Sequence, residues 1–173
     1  MAVDVPAPVR ILIVDEEHGL TDVVRRALSL EGWRTEVAPT GAEAFAAVES
    51  YQPHVILLDM GLPDLHGTEV ARRLRELGVV TPIVFVTGRS EHEDRMAAFA
   101  AGGDDYLTKP FGLDQLVRTL QPIVRRLGLT ENSRRIGDLV VDVATNEVWR
   151  GDEQLFLSPR EVATLLADAS ARA

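Results

Sequence analysis

Residues 9–15 read VRILIVD, a largely apolar run that stops at an acid. Residues 54–59 (HVILLD) and 82–87 (PIVFVT) repeat the pattern, and each run again ends in an acid or a hydroxyl. Short apolar runs of this kind fit strands that are buried on both faces of a parallel sheet. Two shorter strands are predicted at residues 33–38 and 105–107, which brings the total to five.

The segments between these strands carry apolar residues at helical spacing. Leu20, Val24 and Leu28 share one face of a helix that is predicted to end at Gly32. A capping-box pattern, Thr40-x-x-Glu, opens the next helix, and three more helices follow the remaining strands. Five strands that alternate with five helices predict an α/β fold, doubly wound around a five-stranded parallel sheet.

The composition changes after residue 128. Residues 129–136 are polar and are predicted to link a first domain, residues 1–128, to a second part, residues 137–173. Short alternating segments separated by turns predict a small antiparallel β meander in the second part. The sequence SPRE, residues 158–161, then combines a cap, an early proline and a capping-box glutamate, which predicts one final helix.

The overall composition excludes several classes of protein. The chain has 173 residues, of which 46% are hydrophobic, and a formal net charge of −9, as in soluble globular proteins. The absence of cysteine excludes disulfide scaffolds and thiolate sites, and it favours a cytoplasmic location. No apolar run is long enough to span a membrane, so no membrane partner is expected. The acidity argues against a broad nucleic-acid surface.

The residues that follow the predicted strands carry the chemistry. Asp15 and Glu16 follow the first strand, Asp59 the third, Thr87 the fourth and Lys109 the fifth. The working site of an open α/β sheet lies beyond the carboxyl ends of its strands, so we expect these side chains to converge. Lys109 is the only lysine beside seventeen arginines, which marks a position that needs a compact ammonium group.

This set of groups predicts phosphoryl transfer onto an aspartate. Three carboxylates in one crevice need a cation, and hard oxygen ligands favour Mg²⁺ or Mn²⁺. An ammonium group and a hydroxyl are suited to bind phosphoryl oxygens, and a carboxylate can itself accept the phosphoryl group. The preference of helix N-termini for negative charge explains each acid separately, but not the lone lysine beside them.

Four segments resemble, in order, the motifs of the receiver domain of two-component response regulators. They are VRILIVDEE (9–17), VILLDMGLPDLHG (55–67), IVFVTGR (83–89) and DDYLTKPF (104–111). The resemblance covers about residues 9–127 and implies a flavodoxin-like fold. It also implies that Asp59 is the phosphoacceptor.

The resemblance implies roles for the residues around Asp59. The carboxylates of Asp15, Glu16 and Asp59, with the backbone carbonyl of Met60, would hold the Mg²⁺ (or Mn²⁺) ion. Lys109 would pair with the acyl phosphate.

Two further residues would respond to the phosphoryl group. Thr87 would move to bond a phosphate oxygen, and Tyr106 would swing inward behind it. The donor would be a phosphohistidine of a sensor histidine kinase. The chain would then not be a turnover enzyme, because it would catalyse only its own aspartyl phosphorylation and dephosphorylation.

The second part of the chain contains the sequence GDLVVDVATNEVWRGDEQLFLSPREVATLL (137–166). This segment is similar to the beginning of the winged-helix effector domain of OmpR/PhoB-type transcription factors. In that family the domain continues into a recognition helix and a wing, and both are missing from this sequence. We therefore expect promoter DNA to be a partner only of a longer parent protein.

The sequence departs from the family pattern in two places. Glu16 stands where a metal-binding Asp is usual, and its longer side chain predicts weaker Mg²⁺ binding. In the last receiver helix, Gln115 and Thr119 stand where Glu and Arg are common, and Pro122 is predicted to kink or end the helix. A homodimer through the fourth and fifth receiver helices is therefore left open, with Arg95, Asp104 and Asp105 as its candidate charges.

Three alternative functions share parts of this pattern. A haloacid-dehalogenase-like phosphatase also uses a strand-end Asp, but Asp59 is followed by Met60-Gly61 and not by the Asp-x-Asp motif of those enzymes. A flavodoxin-like FMN carrier needs a phosphate loop after the first strand, where acids would repel the phosphate. A receiver-like scaffold that works without phosphorylation stays open, because Glu16 departs from the usual residue.

Overall fold

The computed structural model describes residues 7–88 and 92–172. The chain divides into two compact units, of which one is Pro8–Leu120 and the other contains the described residues from Gln121 onward. None of the helices in the described residues is long and apolar enough to cross a membrane.

The first unit is built around a five-stranded sheet. Its strands are β1 (Arg10–Val14), β2 (Arg34–Ala38), β3 (Val55–Asp59), β4 (Ile83–Thr87) and β5 (Asp105–Thr108). The order is β2-β1-β3-β4-β5, and every pair is parallel. This confirms the predicted doubly wound α/β fold, and it makes the apolar runs of β1, β3 and β4 the inner strands.

Helices cover both faces of this sheet. They are α1 (His18–Leu30), α2 (Gly41–Tyr51), α3 (Gly67–Glu76), α4 (His92–Ala100) and α5 (Leu113–Arg126). Leu12 belongs to the core that contains α2 and α3 residues, whereas its neighbour Ile13 lines a small cavity with Val24 of α1 and Leu116 of α5. Since successive strand residues point to opposite faces, α1 and α5 lie on one face and α2 and α3 on the other.

The helix ends follow the predicted local chemistry, with one exception. Thr40 caps α2 by accepting a hydrogen bond from the Glu43 backbone N–H, and Gly32 follows α1 with a φ of +79°. Pro122 is predicted to kink or end the last helix. The prediction that it ends the helix is wrong, because α5 continues to Arg126. The apolar residues around it in α5 are buried, and this burial outweighs the loss of one backbone hydrogen bond.

The second unit contains a four-stranded antiparallel sheet and a final helix. The elements are β6 (Ser133–Ile136), β7 (Leu139–Asp142), β8 (Glu147–Arg150), β9 (Glu153–Leu155) and α6 (Pro159–Ala171). Val141, Val148 and Val162 form its buried core, and Ser158 with Glu161 forms the predicted capping box.

One strand of the second unit lies where a linker is predicted. The residues of β6, SRRI, pair in register with β7 and, among residues 7–88 and 92–172, with no other strand, so β6 is an edge strand. Charged side chains are common on edge strands because they oppose unwanted pairing with other chains. Its two arginines therefore give this strand the polar composition of a linker.

Candidate functional site

Three charged side chains meet at the carboxyl ends of neighbouring strands. Asp15 directly follows β1, Asp59 is the last residue of β3, and Lys109 directly follows β5. Strands β1 and β3 are adjacent in the sheet, and β4 alone separates β3 from β5. The sheet order therefore brings together residues that are far apart in the sequence, as the pattern of strand ends predicts.

The ammonium group of Lys109 lies between the two carboxylates. Its Nζ atom donates a hydrogen bond to Asp15 Oδ2 at 2.8 Å and lies 3.6 Å from Asp59 Oδ1. Burial alone would lower the pKa of Lys109, but the hydrogen bond to Asp15 and the charges of Asp15, Asp59 and Glu17 raise it overall. Lys109 therefore stays protonated at neutral pH and provides a fixed positive charge.

The surroundings of Asp59 disfavour its ionised form. Its side chain is 12% exposed. Burial raises its pKa, and the negative charge of Asp15 raises it further, whereas Lys109 and the Gly61 backbone N–H lower it. The net shift is upward, so the carboxylate is less stable here than in water and would gain from additional positive charge or from conversion to an ester-like form.

The backbone after Asp59 is folded tightly. The Met60 N–H donates to the Val86 carbonyl at 3.2 Å, and the Met60 carbonyl accepts from the Gly67 N–H at 2.9 Å. A Cβ atom on Gly67 would lie only 2.4 Å from the Asp59 carbonyl oxygen and 2.8 Å from Met60 Cα. The first helical residue of α3 therefore has to be glycine for the backbone to hold Asp59 in this position.

The sequence pattern alone assigns no separate role to Gly67 or to Asp64. The Asp64 carboxylate accepts hydrogen bonds from the backbone N–H groups of Gly41 and Ala42, at 2.8 and 2.9 Å, and so ties the loop after Asp59 to the start of α2. Both residues lie inside the segment VILLDMGLPDLHG, but their roles depend on contacts that sequence spacing does not reveal.

The acidic side chains that could hold a metal ion differ in their exposure to solvent. Asp15 and Asp59 are buried or nearly so, whereas Glu16 is exposed. Within residues 7–88 and 92–172, no three His, Cys, Asp or Glu side chains come close enough together to hold a metal ion. Mg²⁺ commonly uses only one or two carboxylates and fills its other positions with water and phosphate oxygens. Two carboxylates that share one ammonium group fit that requirement.

Thr87 and Tyr106 lie on the two strands beyond β3. Thr87 ends β4 and is 4% exposed, and its carbonyl accepts a hydrogen bond from the Lys109 N–H at 2.7 Å. Burial and the charge of Asp94 raise the pKa of Tyr106, while its hydrogen bond with Thr87 and the charge of Arg95 lower it. The Arg95 guanidinium lies 5.4 Å from the centre of the Tyr106 ring. The two predicted response residues therefore contact each other.

The chain matches one family over most of its length. Residues 11–121 match the response regulator receiver domain. The transcriptional regulatory protein TrcR of Mycobacterium tuberculosis is 43% identical over 163 residues, which are 92% of this chain and 63% of TrcR. The response regulator MprA of a Mycobacterium species (strain KMS) is 38% identical over 162 residues, which are 91% of this chain and 70% of MprA. The chain thus spans under two thirds of TrcR.

Solved structures show the same fold. DrrB of Thermotoga maritima, an OmpR/PhoB homologue, aligns with a TM-score of 0.64 and 28% identity, over 95% of this chain and 74% of DrrB. A CheY-like receiver domain protein of Methanospirillum hungatei aligns with a TM-score of 0.64 and 31% identity, over 67% of this chain and 93% of that protein.

The raised pKa of Asp59 predicts that a neutral side chain at this position stabilises the fold. Because the folded protein raises the pKa of Asp59, its ionised form lowers the free energy of unfolding at neutral pH. We expect Asp59→Asn to raise the denaturation midpoint at pH 7. The gain should shrink as the pH falls through the raised pKa of Asp59, and vanish near the ordinary pKa of Asp. Urea denaturation across this pH range measures it.

Asp64→Asn is the matched control, with the opposite sign. Hydrogen bonds from Ala42 and Gly41 lower the pKa of Asp64, so its ionised form stabilises the fold. We expect this variant to be less stable than the parent at pH 7, with a difference that disappears at acid pH. If Asp59→Asn is less stable than the parent at pH 7, the raised pKa of Asp59 is contradicted.

The close approach of Gly67 to the Asp59 backbone predicts that a larger residue at position 67 destabilises the fold. We expect Gly67→Ala to lower the free energy of unfolding by about 1–3 kcal/mol, because its methyl group would overlap the Asp59 backbone. Gly19→Ala in α1 is the control, since an added Cβ there has no neighbour within 4 Å. Equal denaturation midpoints for the two variants would contradict the close approach at Gly67.

Proposed function

We propose, because this chain belongs to the response regulator receiver family, that it accepts a phosphoryl group on Asp59 from a phosphohistidine of a sensor histidine kinase. The observation that supports this most strongly is the position of the Lys109 ammonium, 2.8 Å from Asp15 and 3.6 Å from Asp59. A carboxylate whose ionised form is disfavoured, and which lies beside a fixed cation, has the features of a nucleophile for a highly charged phosphoryl group.

The transfer moves one phosphoryl group and needs no other reactant. An Asp59 carboxylate oxygen attacks phosphorus, the new O–P bond forms, and the P–N bond to the donor imidazole breaks. The imidazole leaves with the electron pair of that bond and takes up a proton. Lys109 offsets the negative charge that accumulates beside Asp59, and Asp15 keeps Lys109 in place through the 2.8 Å hydrogen bond.

We further propose that Asp15 and Asp59 would hold Mg²⁺, or Mn²⁺ in its place, with Glu16 and the Met60 carbonyl as additional ligands. When bound, the ion neutralises carboxylate and phosphoryl charge. The Met60 carbonyl already accepts one hydrogen bond, from Gly67, and its second lone pair can serve a metal. Glu16 has to turn inward from its exposed position to take part.

Thr87 and Tyr106 form the proposed readout of the phosphoryl group. A Thr87 hydroxyl that bonds a phosphate oxygen has to change its hydrogen bond with Tyr106, so the tyrosine ring can move inward. The 5.4 Å contact between Arg95 and the Tyr106 ring ties this change to α4. Phosphorylation at the strand ends would thereby alter the surface formed by α4 and β5.

The proposed output is control of transcription by a longer protein. TrcR is named a transcriptional regulatory protein, and this chain spans 63% of it. We propose domain bounds of 1–128 for the receiver and, because β6 pairs with β7, 129–132 for the link and 133–173 for the first part of a winged-helix domain. Promoter DNA would be bound only by the complete domain. A cytoplasmic location, and a role limited to its own phosphorylation and dephosphorylation, belong to the same proposal.

A homodimer through α4 and α5 also stays a prediction. Met96 and Phe99 of α4 and Leu113 of α5 are exposed, at 57%, 49% and 40%. Two candidate interface charges are engaged within the chain, since Arg95 lies over Tyr106 and Asp104 pairs with Arg75 at 3.1 Å. Light scattering with and without a phosphoryl mimic tests it, and a monomer in both states would contradict it.

Intact mass measurement tests the proposed phosphorylation. After incubation with a small-molecule phosphodonor and Mg²⁺, we expect one phosphoryl adduct on the parent chain and none on Asp59→Asn. Asp64→Asn retains the acceptor and serves as the matched control, so it should form the adduct. An adduct that persists in Asp59→Asn, or the absence of any adduct on the parent, would contradict the proposal and favour a scaffold. Repeated hydrolysis of a generic phosphate ester would favour a phosphatase.

The longer side chain at position 16 predicts weak metal binding. We expect Glu16→Asp to lower the Mg²⁺ concentration that half-saturates adduct formation, by several-fold, because a shorter carboxylate suits the short metal–oxygen distances of Mg²⁺. Glu17→Asp, at the exposed neighbouring position, is the control and should leave this concentration unchanged. No difference between the two variants would remove Glu16 from the ligand set.

A further inference from the structure

A basic groove lies at the opposite end of the first unit from the strand-end carboxylates. It is open, has a volume of about 760 Å³, and is lined by residues of α1, by the beginning of β2 and by Tyr51 at the end of α2. Three of its side chains are arginines, Arg25, Arg26 and Arg34, and one is an acid, Asp22. The groove is therefore positively charged on a chain whose formal net charge is −9.

The three arginines of the groove have no partner among the described residues. Their side chains form neither a hydrogen bond nor an ion pair there. On α3, by contrast, both Arg72 and Arg73 pair with Glu69. Exposed arginines on this acidic chain can find carboxylates nearby, so three unpaired guanidinium groups in one groove indicate a surface that is suited to an anionic partner.

The groove reaches the beginning of β2, whose outer edge pairs with no strand of the described residues. In the part of the chain that the structure describes, β2 pairs only with β1 and is an edge of the five-stranded sheet. The Arg34 N–H donates to Val9 and the Ala38 carbonyl accepts from Asp15, so the even-numbered residues of β2 face β1. In a parallel pair the N–H and C=O of one residue point the same way. The backbone groups of Thr35 and Val37 therefore point outward, away from the sheet.

The arginines flank this free edge on both faces. Arg25 and Arg26 belong to α1, which covers one face of the sheet. Arg34 lies on the other face, because it shares the strand parity of Ala38, which packs in the core with α2 residues. An extended chain beside β2 would present alternate side chains to the two faces, and so to both sets of guanidinium groups.

We propose that this edge binds an extended acidic segment of a partner protein, which adds as a strand beside β2. Backbone hydrogen bonds to Thr35 and Val37 would supply much of the affinity. Arg25 and Arg26 on one face, and Arg34 at the beginning of β2 on the other, would select for carboxylates, whereas the exposed Glu36 disfavours a carboxylate directly beside it. The site does not include Asp15, Asp59 or Lys109, so a partner could bind here while the strand ends are engaged.

A second copy of this chain fits the edge less well. The β2 strand of a second copy, RTEVA, carries Arg34 as well as Glu36 and so presents no net negative charge to the arginines of the groove. A nucleic acid satisfies the arginines but cannot continue the backbone ladder of Thr35 and Val37. An acidic peptide uses both features of the groove.

Peptide binding, followed by fluorescence anisotropy, tests this site. The probe is a labelled, extended peptide of repeating Glu-Glu-Val-Val, which presents carboxylates to both faces of the sheet. The comparison peptides are its Lys-Lys-Val-Val counterpart and an acidic version interrupted by Pro. We expect only the uninterrupted acidic peptide to bind. The combined variant Arg25→Gln, Arg26→Gln and Arg34→Gln should bind it about tenfold more weakly, since three exposed charge pairs are lost.

Variants separate the backbone contribution from the charge contribution. Thr35→Pro removes an outward N–H and leaves the pairing of β2 with β1 intact, so it should weaken binding while circular dichroism shows a folded chain. Arg118→Gln is the matched control, because this exposed arginine pairs with Asp114 on α5. Asp59→Asn should also bind the peptide normally, which keeps this result independent of phosphorylation.

Four outcomes would overturn the proposal. The first is affinity that does not change in the triple arginine variant. The second is preferential binding of a single-stranded oligonucleotide over the acidic peptide. The third is self-association that Thr35→Pro abolishes, without peptide binding. The fourth is no binding by any probe, which would mean that the arginines only protect the sheet edge from aggregation.

Discussion

The ammonium group of Lys109 is shared between two buried carboxylates, and the chemistry of the whole site depends on that arrangement. Asp15 holds Lys109 through a 2.8 Å hydrogen bond, and Lys109 in turn lies 3.6 Å from Asp59. One positive charge beside two negative charges leaves the site with a net negative charge, which is consistent with the raised pKa of Asp59. A buried carboxylate that lacks charge compensation is poised to react with a phosphoryl group and to benefit from a divalent ion.

The parallel sheet makes this arrangement possible. Its order, β2-β1-β3-β4-β5, places the ends of β1, β3 and β5 within reach of one lysine side chain. The apolar runs that bury both faces of β1, β3 and β4 fix where these strands end, and therefore where the polar side chains emerge. Gly67 and Asp64 complete the support, because the first allows the backbone to pass close to Asp59 and the second ties the same loop to α2.

The sequence predicts most of the first unit and the charged residues of its site, because both depend on patterns that are local in the chain. Apolar runs predict buried strands, and the residue after each run is placed by the parallel topology. Gly67 and Asp64 could not be assigned in this way, since their roles arise from contacts with Met60 and with the start of α2. The same limit applies to β6, where Arg134 and Arg135 suggest a linker although the backbone pairs with β7, and to Pro122, whose helix continues because its neighbours are buried.

Peptide mapping of the phosphorylated chain tests the central claim most directly. Borohydride reduction converts an aspartyl phosphate to homoserine, so mass spectrometry of the resulting peptides locates the modified residue. We expect homoserine at position 59 and an unmodified aspartate at positions 15 and 64. Homoserine at either of those positions, with Asp59 intact, would contradict the assignment of Asp59 as the phosphoacceptor and of Lys109 as the cation that serves it.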